Sequence, residues 1–219
     1  MSPIHLANLA VHIGAGTVAL AIGFILLASQ KGTAKHRQLG RIFCYCTLVV
    51  CLSAAIGTIF FRFIPLFAVL SVLVPYQLVS GWRSAYTRDR GPAVVDGFWT
   101  LIAVVFSSAL VPILLADSAG GDIVVYSSLG ALAVILLYDT VRWLFPRRWF
   151  STLWRYEHSY KLISSLFAML SALIGNVIRF GQPWSQIAPS AAGMLTISYI
   201  FYRLYKQDPA RLVSASKHV

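Results

Sequence analysis

The sequence predicts an all-α protein, a polytopic transmembrane helix bundle of seven spans with its N-terminus outside and its C-terminus in the cytoplasm. Three observations support this prediction. The 219 residues are 58% hydrophobic and only 11% charged, with a mean hydropathy of +0.74, whereas roughly a quarter of the residues in soluble proteins are charged. The apolar residues form seven long runs. The cations lie almost entirely in alternate connections between those runs.

Each predicted span is an apolar run bounded by charged residues or by Gly and Pro. A helix needs about 20 such residues to cross a hydrocarbon core about 30 Å thick. Seven runs meet this condition, at roughly 4–29, 42–62, 64–82, 92–116, 123–145, 159–180 and 187–205. The first run is too long for the apolar region of a signal peptide, so we expect it to be retained. All connections are short, so residues 1–206 form a single transmembrane helical domain and 207–219 a short cytoplasmic tail.

The distribution of Lys and Arg predicts the orientation, because short loops rich in these residues stay in the cytoplasm. Only Arg62 and Arg179 lie in the other set of connections, which also holds the acidic loop from Asp117 to Asp122. The remaining 16 of the 18 cations are Lys31, Lys35, Arg37, Arg41, Arg83, Arg88, Arg90, Arg142, Arg147, Arg148, Arg155, Lys161, Arg203, Lys206, Arg211 and Lys217. They are interleaved with apolar spans and form no basic domain, so the expected partner is the lipid bilayer and not a nucleic acid.

Ionisable and polar side chains collect near the cytoplasmic ends of several spans. Such groups cost several kcal/mol in hydrocarbon unless they are paired or hydrated. One interpretation is interfacial: Asp96 and Asp139 form ion pairs with Arg142 or Arg83 and hold helices together. The other is a polar cavity that opens to the cytoplasm. Its predicted residues are Gln77, Asp96, Asp139, Arg142 and Glu157.

His12 lies about 12 Å inside the outer end of the first span, at a rise of about 1.5 Å per residue. An intramembrane histidine commonly forms a hydrogen bond between helices. A ligand or proton-relay role is the alternative. At the same end of the bundle, Asn176 and Arg179 are candidate partners for His12.

Small residues follow His12 at three- and four-residue spacing: Gly14, Gly16, Ala19 and Gly23. Such a face lets another helix approach closely. The partner helix belongs either to the same chain or to a second copy in a homo-oligomer.

Several motifs resemble those of multi-pass bacterial membrane proteins of the DUF2306-like kind. They are His12-x-Gly14-x-Gly16-x-x-Ala19-Leu20-x-x-Gly23, Lys31-Gly32-x-x-x-His36-Arg37-x-x-Gly40-Arg41, Leu78-Val79-x-Gly81-Trp82, and His158 with Lys161. The resemblance covers the first two spans well and the later ones loosely. The similar proteins often show His followed by Met or by Trp-Arg-Met in the late span, where this chain has Glu157-His158-Ser159-Tyr160-Lys161. The resemblance implies a protein of the bacterial cytoplasmic (inner) membrane and brings no activity with it.

A b-type haem near the cytoplasmic face is one functional hypothesis, because helical bundles hold haem through histidines. His36 and His158 lie at one depth and are its predicted ligands, and the only metal ligands predicted. Arg37, Arg41 and Lys161 are then expected to hold the propionates. His12 and His158 differ in depth by roughly 18 Å and cannot share one haem. No redox partner is indicated.

The second hypothesis is a small-molecule or proton-coupled transporter that uses the polar cavity, with His12 as a gate or relay. An intramembrane metal hydrolase is less favoured, because no two histidines stand three or four residues apart. A structural or accessory subunit is a further alternative. The sequence alone does not decide whether the chain is an enzyme.

Overall fold

Seven α-helices make up most of the computed structural model, which describes residues 2–116, 123–178 and 180–207. No strand occurs within these ranges. The predicted acidic loop Asp117 to Asp122, Arg179 and the tail beyond Gln207 lie outside the described residues. The helices are α1 Pro3–Ala28, α2 Ala34–Ile56, α3 Pro65–Thr87, α4 Val94–Ala116, α5 Ile123–Val141, α6 Phe150–Val177 and α7 Trp184–Lys206.

Short helical turns extend three of these helices. A π-helical turn at Gly57–Phe61 continues α2, and 3₁₀ turns at Arg88–Arg90 and Arg142–Leu144 follow α3 and α5. A further 3₁₀ turn, Arg147–Trp149, leads into α6. With these extensions, the six helices α1 to α6 are each long and apolar enough to cross a membrane. The predicted all-α class is therefore confirmed for the described residues, with six helices that fit a multi-span membrane protein.

Two central helices, α3 and α6, organise the bundle. Helix α3 packs against α2, α4, α5 and α6, and α6 packs against α1, α3 and α7. Helices α6 and α7 are antiparallel, because Tyr156 near the start of α6 contacts Phe201 near the end of α7 at a ring distance of 5.0 Å. At the opposite end of the same pair, the hydroxyls of Ser171 and Ser190 are 2.9 Å apart.

Two helices begin earlier than the apolar runs predict. Helix α2 begins at Ala34 instead of residue 42, and α6 at Phe150 instead of residue 159. The Thr33 side chain caps α2 by accepting a hydrogen bond from the His36 amide, so the helix continues beyond its apolar part. The apolar run marks only the part of a helix that lies in hydrocarbon. Polar turns that extend the helix beyond this part do not raise the hydropathy, so they were not predicted. His36 and Arg37 thus lie on a helix and not in a connection.

The small-residue face of α1 packs partly inside the chain. Ala19 and Gly23 are buried, and a Cβ at Gly23 would meet Leu166 of α6 and Phe43 of α2. Gly14, nearer the N-terminus of α1, has open space beside it. The C-terminal part of this face is therefore occupied within one chain, and a homo-oligomer through α1 stays a prediction.

Helix α3 contains an internal proline, Pro75. Proline has no amide hydrogen, so the Ser71 carbonyl lacks its usual partner four residues on. The buried Ser71 hydroxyl also has no hydrogen-bond partner within the described ranges. Pro75 directly precedes Tyr76 and Gln77, two residues of the candidate site.

Candidate functional site

An ion pair between Lys161 of α6 and Asp139 of α5 lies in the interior of the bundle. The Lys161 side chain is 0% exposed, and its Nζ lies 2.6 and 2.8 Å from the two carboxylate oxygens of Asp139. Nζ also donates to the Ser80 hydroxyl at 2.7 Å. The Tyr76 hydroxyl donates to Asp139 at 2.6 Å, as does Ser80 at 2.9 Å. Two hydroxyls of α3 thus complete the coordination of a pair formed by two other helices.

A second buried pair lies beside the first. Arg142 donates to Glu157 at 2.7 Å, and Glu157 also accepts from Ser84 at 2.9 Å and from Tyr138 at 2.8 Å. Arg142 Nε is 3.4 Å from an Asp139 oxygen, which links the two pairs. We call the whole group the buried ionic network. Its members are Tyr76, Ser80, Ser84, Tyr138, Asp139, Arg142, Glu157 and Lys161.

The network follows from helical spacing in the sequence. Residues four apart share a face of a helix, which places the hydroxyls of Tyr76, Ser80 and Ser84 in one row on α3. Glu157 and Lys161 have the same spacing on α6. Two cations and two carboxylates leave the network without net charge, which offsets the large cost of burying each ion alone.

Asp96 forms a separate pair with Arg83, at 2.5 Å between Nε and a carboxylate oxygen. The Ala93 amide also donates to Asp96, at 2.7 Å. Thr100 connects this pair to the network, because its hydroxyl donates to the Asp96 carbonyl and lies 3.0 Å from the Tyr76 hydroxyl. The structure therefore places both aspartates in ion pairs between helices.

The predicted polar cavity on the cytoplasmic side has a different form in the structure. Asp96, Asp139, Arg142 and Glu157 are each buried, with at most 5% of the residue exposed. They bind one another and surrounding hydroxyls instead of lining an opening. Opposite charges attract strongly where the dielectric constant is low, so the helices close around the pairs. Gln77 is the one member of the predicted set that lines a cavity described here.

That cavity has a volume of about 360 Å³ and lies between α3, α5, α6 and α7. Helices α3 and α6 form its floor, with α5 on one side and α7 on the other. Apolar side chains such as Leu70, Phe167 and Ile197 alternate with hydroxyls around it. Its polar lining consists of Gln77, Ser127, Ser128, Tyr160, Ser164, Ser171, Gln186 and Ser190. We call this space the serine cavity.

Gln77 is the most informative residue of the serine cavity. It is only 3% exposed, it lines the cavity, and its amide has no hydrogen bond with any described residue. The amide is therefore free to form hydrogen bonds with a molecule in the cavity, as a donor and as an acceptor.

The residues predicted to bind haem lie outside the serine cavity. His36 and His158 are close enough to interact electrostatically, but neither lines the serine cavity. His158 Nδ1 lies 3.0 Å from the Gly81 carbonyl, and His36 Nδ1 lies 3.5 Å from the Ser29 hydroxyl.

The cationic residues predicted to hold propionates have other contacts. Lys161 is held by Asp139 inside the network, Arg37 donates to the Gly32 carbonyl at 2.9 Å, and Arg41 is exposed. Across residues 2–116, 123–178 and 180–207, no three His, Cys, Asp or Glu side chains are placed to hold a metal ion. The haem, with His36 and His158 as ligands, stays a prediction from the sequence.

His12 forms a hydrogen bond between helices. Its Nδ1 lies 2.9 Å from the Ser53 hydroxyl of α2, and Asn8 donates to the Ser53 carbonyl at 3.1 Å. Asn176 is exposed and donates to the Ala172 carbonyl of its own helix. The structure therefore pairs His12 with Ser53 and not with Asn176, because the N-terminal half of α1 packs along α2.

Comparisons with known proteins assign no family to this chain. No family model matches the chain, and neither the curated proteins nor the solved structures contain a match. The resemblance to DUF2306-like proteins accordingly rests on the motifs alone.

Proposed function

We propose that this chain is a seven-span protein of the bacterial inner membrane that binds a small uncharged molecule in the serine cavity and transports it in a step coupled to the buried ionic network. The observation that carries the proposal is Gln77, a residue only 3% exposed that lines the cavity, forms no side-chain hydrogen bond with a described residue and directly follows Tyr76 of the network. The N-terminus lies outside and the C-terminus in the cytoplasm.

The length and position of α7 support a seventh crossing. Its 23 residues extend for about 34 Å, enough to cross the hydrocarbon core, although it is less apolar than the other six. It runs antiparallel along α6. Partial burial and the nearby charge of Arg203 lower the pKa of Lys31, so the end of α7 lies near the connection between α1 and α2. If α7 crosses the membrane, all the connections rich in Lys and Arg, together with the end of α7, lie on one side of the membrane.

The lining of the serine cavity indicates the chemistry of the ligand. No charged side chain lines the cavity, so a charged molecule would lose its hydration without finding a counter-ion. Serine hydroxyls and the amides of Gln77 and Gln186 offer both donors and acceptors. The volume lies within the range of about 300–1,000 Å³ that is typical of small-molecule sites. The ligand we propose is uncharged, partly apolar and bears hydroxyl or amide groups.

Two neighbouring residue pairs connect the cavity to the network. Gln77 lines the cavity and the preceding Tyr76 donates to Asp139. On α6, Tyr160 lines the cavity and the following Lys161 binds Asp139. A shift of either floor helix on ligand binding therefore also changes the geometry of the ion pair. Coupling of this kind needs a ligand with different affinities for the two arrangements.

Filling the cavity from α5 tests the binding proposal. Ala131 lines the serine cavity, and Ala133 lies two residues away on another face of α5 and is exposed. We expect native mass spectrometry of protein purified in mild detergent to detect a bound neutral molecule in the wild type and in Ala133→Phe, but not in Ala131→Phe. Equal occupancy of the two variants, or none in the wild type, would contradict ligand binding in this cavity.

Cysteine labelling tests the seventh span. In a variant whose three cysteines are replaced by Ala, single cysteines are placed at Gln182 and Gln207, which are both exposed and lie before and after α7. We expect a membrane-impermeant maleimide to label position 182 in intact spheroplasts and position 207 only after permeabilisation. Labelling of both positions from one side would show that α7 does not cross. Lys35→Cys provides the cytoplasmic reference.

A further inference from the structure

A second cavity, of about 450 Å³, lies where α3 ends and α4 begins. It is lined by three arginines, Arg83, Arg90 and Arg147, and by one carboxylate, that of Asp89. We call it the arginine groove. It shares no lining residue with the serine cavity and contains no member of the buried ionic network, although its Arg83 is linked to the network through Asp96 and Thr100.

The arginine groove carries unpaired positive charge. Arg83 is neutralised by Asp96. Arg90 and Arg147 are exposed and have no hydrogen bond or ion pair with any residue in the described part of the chain, and Asp89 is exposed as well. Like charges that converge in one concave site repel one another, and a bound anion relieves that repulsion.

The connection after α3 is held against the start of α6. Gly91 adopts φ 75°, a conformation that favours glycine, and a Cβ there would meet the ring of Phe150 at the start of α6. The Arg88 guanidinium lies 5.5 Å from the centre of the Trp154 ring. Both contacts fix the connection after α3 on α6. Arg90 and Arg147, which belong to different connections, therefore line the same groove.

The surface beside the groove is apolar. Val94, Val95 and Phe98 in the first turns of α4 are all exposed, as is Tyr86, which lines the groove. Arginine presents a fork of donors that matches phosphate oxygens. A phosphate held in the groove would have acyl chains lying along the exposed face of α4.

We propose that the arginine groove binds the phosphate of an anionic glycerophospholipid, with the lipid chains against α4. Basic pockets between transmembrane helices on the cytoplasmic side bind such headgroups. The ligand differs from that of the serine cavity, because it is anionic and comes from the surrounding bilayer.

Lipid titration of the purified full-length protein in a neutral detergent tests this inference. Phosphatidylglycerol is titrated into the wild type, and the apparent dissociation constant is derived from the rise in unfolding temperature. Phosphatidylcholine and sodium phosphate serve as the other two probes. The test variant is Arg90→Gln/Arg147→Gln. The control is Arg41→Gln/Arg148→Gln, which removes the same charge from two exposed arginines outside the groove.

We expect phosphatidylglycerol to raise the unfolding temperature and phosphatidylcholine to have little effect. The groove variant should bind phosphatidylglycerol roughly 30-fold more weakly, given the usual contribution of two basic residues at a membrane surface. The control should bind as the wild type does. An equal loss in both variants would overturn the proposal in favour of general charge attraction. If sodium phosphate raised the unfolding temperature as much as phosphatidylglycerol does, the groove would bind free phosphate, and the proposal of a lipid ligand would be wrong.

Discussion

Replacing Lys161 with Met should lower the free energy of unfolding by about 3 kcal/mol or more, because it leaves the buried Asp139 carboxylate without its closest cation. The Lys161 side chain is wholly buried and its Nζ contacts both oxygens of Asp139. The measurement is unfolding in mixed detergent micelles, compared with the wild type. Asp139→Asn should lower the stability by a similar amount, because it leaves the ammonium group buried instead.

The double variant Lys161→Met/Asp139→Asn is the decisive control. With both charges removed, no unpaired ion remains in the interior, and replacing a buried ion pair by neutral groups is often close to neutral in stability. We expect the double variant to be clearly more stable than either single variant. Additive losses would show that the two side chains act independently, contrary to the geometry described above.

Gly81→Ala should lower the free energy of unfolding by about 1–3 kcal/mol, the usual cost of overpacking a filled interior. Gly81 is buried where α3 meets α6, and an added Cβ would collide with the Lys161 Cβ and with Leu162. The Lys161 Cβ belongs to the stem of a side chain that is fixed at its far end by Asp139. The collision therefore also displaces the network.

Gly130→Ala is the matched control for Gly81→Ala. Gly130 lies inside α5 with no atom near the position of an added Cβ. Alanine favours helix over glycine by up to about 1 kcal/mol, so this variant should be as stable as the wild type or slightly more stable. Both are measured by the same unfolding experiment. Equal effects of the two substitutions would contradict the close packing of α3 on α6.

Much of the fold could be predicted because hydrocarbon imposes a length and a composition on each span. Both predicted ends of α1 and α4 and the predicted start of α3 lie close to the observed ones: Pro3–Ala28, Val94–Ala116 and Pro65. The starts of α2 and α6 were missed, since the turns around His36 and Trp154 are polar or mixed and lie beyond the apolar run. Capping by Thr33 was a local signal that could have extended α2.

The candidate site could be predicted only in part. Depth along each helix follows from residue spacing, which predicts Asp139, Arg142, Glu157 and Lys161 near one level; in the structure these four side chains contact one another. Which side chains pair depends on the rotation of each helix about its axis, which the sequence of one helix does not determine. Lys161 was consequently expected to hold propionates and is instead bound to Asp139.

Two features of the site were missed for different reasons. The row of hydroxyls at Tyr76, Ser80 and Ser84 was readable from its four-residue spacing, which matches that of Glu157 and Lys161. The serine cavity was not readable, because it depends on the separation of α5 and α7 across the floor helices. Single serines in separate apolar spans do not indicate that their side chains line one cavity.

Pro75 divides α3 into two parts with different mechanical properties. The part after Pro75 is tied to α4, α5 and α6 by hydroxyls and ion pairs, so it resists bending. The part before Pro75 contributes Leu66, Leu70 and Leu73 to the serine cavity, and it joins the tied part where the Ser71 carbonyl lacks its usual backbone donor, a common place for a helix to bend. In the transport cycle proposed above, the tied part is the fixed half of α3 and the part before Pro75 is the half that moves.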